Sequence, residues 1–153
     1  QTAFISKNSY TPFTMRIMNS CEYHYIFSRG LDAVDSYDID LVQHLKGIVH
    51  GQGLFAVLHS LGSHYKYNLR YPKEANYYTP SLSTNDGYAM LTEDHKDLLI
   101  NSYDNSIRYT DYVLGELIEW MDSLNQPTVL MYISDHGESF WDDERKLDFG
   151  LSC

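Results

Sequence analysis

The segment Ser134-Asp135-His136-Gly137-Glu138-Ser139 holds the densest chemistry in the chain. A carboxylate beside an imidazole, directly after an apolar run, supplies the oxygen and nitrogen donors that bind zinc. Adjacent residues of a regular strand point to opposite faces. Both can reach one ion only if the backbone turns at the strand end, and Gly137 permits that turn. The alternative is a solvated turn with a capping Asp. His59 and His64 form a second pair, with Gly62 between them. Their spacing is not the i,i+4 of a helical zinc motif. It fits a strand-exit loop that returns one His toward a site, set against the commoner reading of a satisfied core or surface histidine. Asn8 and Ser9 can bind an anion or a substrate phosphate through side-chain and backbone donors, although a plain turn is the simpler reading. Tyr103, Asp104, Asn105, Tyr109 and Asp111 either buttress a site or satisfy helix-to-loop hydrogen bonds, and the second is preferred. Tyr65, Tyr67, Tyr71, Tyr77 and Tyr78 make a Tyr-rich loop that either contacts sugar or lipid headgroups or packs on its own side chains. His24, His44, His50 and His95 lack comparable context and are left as surface or packing residues.

The elements that must position these groups alternate along the chain. Thr2 to Ser6 reads as a short buried strand, and Lys7 to Tyr10 as a turn. Thr11 to Asn19 reads as a helix with Pro12 in its first turn. Asp32 to Tyr37 alternates weakly, as a short strand would. Asp38 then caps a helix on which Leu41, Val42, Leu45, Ile48 and Val49 recur at helical spacing, and Gly51 and Gly53 end it. Leu54 to Leu58 is a continuous apolar run, the pattern of a strand covered on both faces. Ser60 to Leu91 is loop-rich. Thr92 caps the longest helix, with Leu99, Tyr103, Ile107, Thr110, Leu114, Leu117, Met121 and Leu124 along one face, and Asn125-Gln126-Pro127 stops it. Thr128 to Ile133 reads as another buried strand. This order argues an α/β fold: a largely parallel sheet with helices on both faces. Ligands in such sheets sit outside the carboxyl ends of the strands. Asn8 and Ser9, His59 and His64, and Asp135, His136 and Glu138 all fall just past strand ends.

Composition bounds the rest. The chain has 153 residues, enough for one domain or a large piece of one, and 43% are hydrophobic, so it can bury a core. Its net charge of −10 makes a nucleic-acid partner a poor expectation. No apolar stretch approaches the roughly 20 residues that span a bilayer, and no charged-then-apolar leader opens the chain. It begins without Met and ends abruptly at Cys153, so both ends read as cuts. Cys21 and Cys153 are too few for a disulfide framework and lack CxxC spacing. A bridge between them stays open in an oxidising compartment.

Leu58-His59-Ser60-Leu61-Gly62-Ser63-His64, Arg70-Tyr71-Pro72, Tyr103 to Tyr112 and Tyr132 to Ser139 together bring a family into view. In order and spacing, from about Phe4 to Glu138, the chain resembles the catalytic domain of the phosphoethanolamine transferases, within the alkaline phosphatase and sulfatase superfamily. The Ser-Asp-His-Gly-Glu segment alone would show only the wider superfamily. The resemblance implies that Asp135 and His136 are a zinc-binding pair. It implies that His64 contacts the transferred phosphoryl group or a second zinc, and that His59 is a further histidine of the same motif. It implies transfer of phosphoethanolamine from a phospholipid, through a covalent intermediate on a threonine, to lipid A or another envelope glycan. The setting it implies is the periplasmic face of a bacterial inner membrane. The family's nucleophilic threonine and an upstream acidic ligand precede the point where this chain starts. A further family histidine has no counterpart in Arg145 to Cys153. The expectation is therefore a single partial domain over residues 1–153, incomplete at both ends, lacking the nucleophile segment and inactive alone. The alternatives are a sulfatase or phosphodiesterase of the same superfamily, or a non-catalytic metal-binding scaffold.

Overall fold

A computed structural model describes residues 1–8, 11–27, 36–49, 51 and 53–141. Its centre is a parallel three-stranded sheet of β1 (Thr2–Ser6), β2 (Tyr23–Ile26) and β3 (Phe55–His59), in the order β2-β1-β3. Three helices accompany it: α1 (Pro12–Met18), α2 (Ile39–Ile48) and α3 (Lys96–Ser123). Ile5 lies opposite Tyr25 on one side and Leu58 on the other, so all three strands end at one edge.

β1 is central, and its residues from Ala3 to Ser6 are buried. The pleat sends alternate side chains to opposite faces. Phe4 packs with Met18 of α1 and Ile26. Ile5 packs with Leu41, Val42 and Leu45 of α2 and with Tyr109, Val113 and Leu117 of α3. Helices therefore cover both faces, as the sequence pattern argues. Each such side chain contributes about 1.5–3 kcal/mol on full burial. α1 starts with a capping box: Thr14 N–H donates to Thr11 Oγ1 at 3.1 Å, and Thr11 N–H donates to Thr14 Oγ1 at 2.8 Å. Residues 60–95 form a loop region with short 3₁₀ turns. Beneath it lies a second cluster of Tyr65, Tyr67, Leu82, Leu99 and Phe140.

Several sequence expectations need correction. Residues 128–133 form no strand. Val129, Met131 and Ile133 are 93%, 86% and 84% exposed. A continuous apolar run becomes a strand only where a neighbour offers free ladder groups, and no described strand pairs with it. β2 (Tyr23–Ile26) has no counterpart among the expected strands. Asp38 makes no capping bond to α2, because its carboxylate is engaged elsewhere. Thr92 precedes a 3₁₀ turn over Glu93–His95, so His95 and not Thr92 takes the cap position of α3. The buried face of α3 is also shifted: Ile107 is 45% exposed, whereas Ser102, Asn105 and Ser106 are buried. Ser36 and Tyr37 are not in a strand, and residues 32–35 of that expected element lie outside the described residues. So do His50 and Cys153, while Cys21 is a free, half-buried thiol. No helix among the described residues is long and apolar enough to cross a membrane.

Candidate active site

Two of the strand exits are knitted together. Lys7 N–H donates to the carbonyl of His59 at 2.9 Å, which extends the β1–β3 ladder by one rung. Ser6 Oγ lies 2.9 Å from His59 Nδ1 and accepts from Asn8 N–H at 3.0 Å. The His59 ring stacks on Phe4, with centroids 5.9 Å apart. His59 is thus held at the sheet edge. Asn8 stands beside it, and its backbone amide is already engaged. Ser9 lies outside the described residues.

Beyond β3 the chain turns at Gly62, whose φ of +51° lies in the left-handed region that glycine adopts without strain. His64 N–H donates to the Leu61 carbonyl at 3.0 Å, and the His64 ring is exposed at the end of this turn. Its Nδ1 hydrogen-bonds to the Tyr65 carbonyl. A carbonyl only accepts, so Nδ1 carries the proton and Nε2 of the neutral ring presents a lone pair.

The Asp135-His136 turn repeats this device. His136 Nδ1 donates to the Gly137 carbonyl at 2.7 Å. His136 N–H donates to Asp135 Oδ1 at 3.0 Å, and Ser134 Oγ–H donates to the His136 carbonyl at 2.6 Å. Nε2 stands 3.9 Å from Asp135 Oδ2, and both side chains are exposed. The Gly137 carbonyl, and then the charge of Asp135, raise the His136 pKa above the usual imidazole value.

Glu138, three residues on, is half-buried, and burial pushes its carboxyl up. His136, the Tyr67 hydroxyl and His64 pull it down. Phe140, two residues on, packs with Tyr65 and Tyr67 and so holds this segment against the loop after β3. Tyr67 packs edge-on against Tyr103, with Phe140 completing the ring cluster, at centroid distances of 5.2 and 5.9 Å. Burial, and then Glu138, raise the Tyr67 phenol well above its ordinary value. The sequence sets Glu138 just past an expected strand and assigns it no role. Tyr67 was seen only as one of a Tyr-rich loop. The helix-to-loop reading of Asn105 fits what is seen, since its side chain bonds Tyr77, Tyr78 and Asn76. The Tyr-rich loop divides: Tyr65, Tyr67 and Tyr71 are buried, whereas Tyr77 and Tyr78 are exposed.

Asp135 and His136 suit zinc by donor chemistry. They offer one carboxylate and one imidazole, and the ring tautomer leaves Nε2 as the ligand atom. They would supply two of the donors that a zinc ion takes. No group of three or more His, Cys, Asp or Glu side chains able to hold a metal occurs among the described residues.

A parallel sheet flanked by helices, with Asn8 and His59 at the exits of β1 and β3, is an α/β architecture of the kind that binds ligands outside the carboxyl ends of its strands. The chain matches the Sulfatase family over residues 3–148, and it belongs to that family. Among curated proteins it is similar to the phosphoethanolamine transferase EptA of Helicobacter pylori, with 33% identity over 116 residues, 73% of this chain and 22% of that protein. It is also similar to EptA of Salmonella typhimurium, with 39% identity over 103 residues, 65% of this chain and 17% of that protein. This chain therefore spans about a fifth of the length of these relatives. The fold is that of the C-terminal periplasmic domain of EptC from Escherichia coli in complex with Zn, with a TM-score of 0.79 and 23% identity over 99% of this chain and 43% of that one. The resemblance read from the sequence is borne out by these relatives.

Proposed function

We propose that this chain is part of the catalytic domain of a zinc-dependent phosphoethanolamine transferase. The whole enzyme moves phosphoethanolamine from a phospholipid to lipid A or another envelope glycan at the periplasmic face of a bacterial inner membrane, and this segment alone is inactive. Similarity to proteins named phosphoethanolamine transferases supports the class. One of them, the Kdo(2)-lipid A phosphoethanolamine 7''-transferase of Escherichia coli, is 30% identical over 112 residues, 73% of this chain and 19% of that protein. The observation that carries the site is the Asp135-His136 turn, where Nδ1 of the imidazole is tied to a backbone carbonyl and Nε2 is turned outward.

In this reading Asp135 and His136 hold zinc. When bound, the metal lowers the nucleophile's pKa and neutralises charge on the phosphoryl oxygens. The Gly137 carbonyl fixes the tautomer and orientation of His136. His64 presents Nε2 to the transferred phosphoryl group, and when the ring is protonated Nε2–H donates to a phosphoryl oxygen. His59, fixed by Ser6 and Phe4, anchors the start of the loop that carries His64. Asn8, at the exit of β1, and Ser9, next in the sequence, receive the substrate phosphate. The threonine that takes up the group covalently is supplied by a segment outside these residues.

The test is Asp135→Ala and His136→Ala in the native full-length protein, with zinc per chain measured by elemental analysis and transfer followed by mass spectrometry of the acceptor lipid. Both variants should lose zinc and transfer. Unchanged zinc content in both would overturn the ligand assignment.

A further inference from the structure

We propose that Asp38 is a positioning residue for His64, an inference that rests on the transferase reading above. Asp38 stands at the N-terminus of α2, where an Asp ordinarily accepts from its own helix. Here it makes no such bond. Its two oxygens reach across to the loop after β3 instead: Leu61 N–H donates to Oδ1 at 3.1 Å, and Gly62 N–H donates to Oδ2 at 2.7 Å. The Leu61 carbonyl in turn accepts from His64 N–H at 3.0 Å. One buried carboxylate, only 9% exposed, thus holds two successive amides of the turn that carries His64.

The post to which the loop is tied is rigid for other reasons. Leu41, Val42 and Leu45 of α2 lie in the main core. Asp40, two residues on, pairs with Lys7 at 2.5 Å, and Lys7 Nζ donates to Ser36 Oγ at 2.6 Å. Removing the Asp38 carboxylate therefore frees the loop while the helix stays docked. The geometry needs two acceptors side by side, which a carboxylate has and a carboxamide lacks. Asp38→Asn leaves one amide facing an NH₂ group.

The experiment is a double-mutant cycle between Asp38→Asn and His64→Ala in the native full-length protein, read by kcat, KM and zinc content. Asp38→Asn should lower kcat by about 10- to 100-fold, the scale of an ångström-level misplacement, with zinc content unchanged. On the His64→Ala background it should lower kcat no further. The His64 ring resonances should shift or broaden in Asp38→Asn. If His64→Ala slows transfer while Asp38→Asn is as fast as wild type, or if Asp38→Asn slows both backgrounds equally, the positioning role is overturned and the transferase reading stands. If His64→Ala keeps wild-type transfer, the site reading falls and this inference falls with it. Should Asp38→Asn not fold, Gly62→Ala perturbs the same turn with the carboxylate intact. It should slow the parent and spare the His64→Ala background, and equal slowing of both would overturn the proposal.

Discussion

Asn105 offers the clearest place to convert a cluster of bonds into a measured free energy. It sits on α3 with its side chain fully buried. Its Oδ1 accepts from Tyr77 N–H and Tyr78 N–H, each at 2.8 Å. Its Nδ2 donates to Asn76 Oδ1 at 2.7 Å and to the Tyr78 carbonyl at 2.9 Å. Asn105→Ala strands the Tyr77 and Tyr78 amides and the Tyr78 carbonyl, while Asn76 Oδ1 keeps the Ser81 hydroxyl at 2.9 Å. A buried group left without its partner costs about 1–3 kcal/mol. The rings of Tyr77 and Tyr78 are exposed, so water can reach this part of the loop and the low end applies to each amide. Adding the void left by a fully buried side chain, the expected loss is about 2–4 kcal/mol. For a chain of this size that is a fall in Tm of about 5–15 °C. Urea unfolding at unchanged m reads the free energy directly. Hydrogen exchange adds a local signature: the Tyr77 and Tyr78 amides should lose protection while those of β1 keep theirs. A loss below about 0.5 kcal/mol, the range of an ordinary surface substitution, would refute the claim that Asn105 ties the loop to α3.

His64 is exposed, so His64→Ala should leave the unfolding midpoint within about 0.5 kcal/mol of wild type while slowing transfer by about 10²–10⁴-fold; wild-type turnover would remove His64 from the site. Lys7 is buried against Asp40, Ser36 and the Phe27 ring, 4.2 Å from its centroid. Asp40 is partly exposed and can rehydrate, so Lys7→Met should cost about 1–3 kcal/mol, short of the 3–5 kcal/mol of a stranded buried charge. Unchanged denaturant stability would show that the ion pair contributes nothing net. Burial raises the phenols of Tyr67 and Tyr109 well above the usual value, with neighbouring Glu138 and Tyr112 next in effect. Above about pH 10 the unfolded chain releases those protons and the native state keeps them. Stability should therefore fall as pH rises through that range, and these two phenolates should appear only with unfolding. Smooth, complete phenolate absorbance change in still-folded protein would contradict this.

What the sequence makes legible follows from how local each signal is. β1, β3, α1 and α2 are written in contiguous patterns: an apolar run bounded by polar or glycine residues, or a Thr-Pro start before helical spacing. β2 is not. In Tyr23-His24-Tyr25-Ile26 only Ile26 is fully buried. The strand lies at an edge of the described sheet, and its tyrosines pack on His44 of α2, with Tyr25 stacked at 4.1 Å and the Tyr23 hydroxyl 2.6 Å from Nε2. Nothing local tells a histidine that it will be packed by an aromatic strand. Residues 128–133 show the converse. Their sequence is as strand-like as Leu54 to Leu58, but pairing belongs to the neighbour as much as to the run itself.

The candidate site divides along the same line. Asp135, His136, His59 and His64 stand out because metal-capable side chains beside apolar runs are hard to explain as packing. The groups that would aim them are ordinary in type. Asp38 looks like a helix cap, Ser6 like the last residue of a strand, and Gly62 like any loop glycine. Only the fold shows that the Asp38 carboxylate has left its own helix to hold Leu61 and Gly62. Residues that present a lone pair can be read by their chemistry. Residues that point it are identified by the hydrogen bonds they give up elsewhere, and those exist only once distant segments have met.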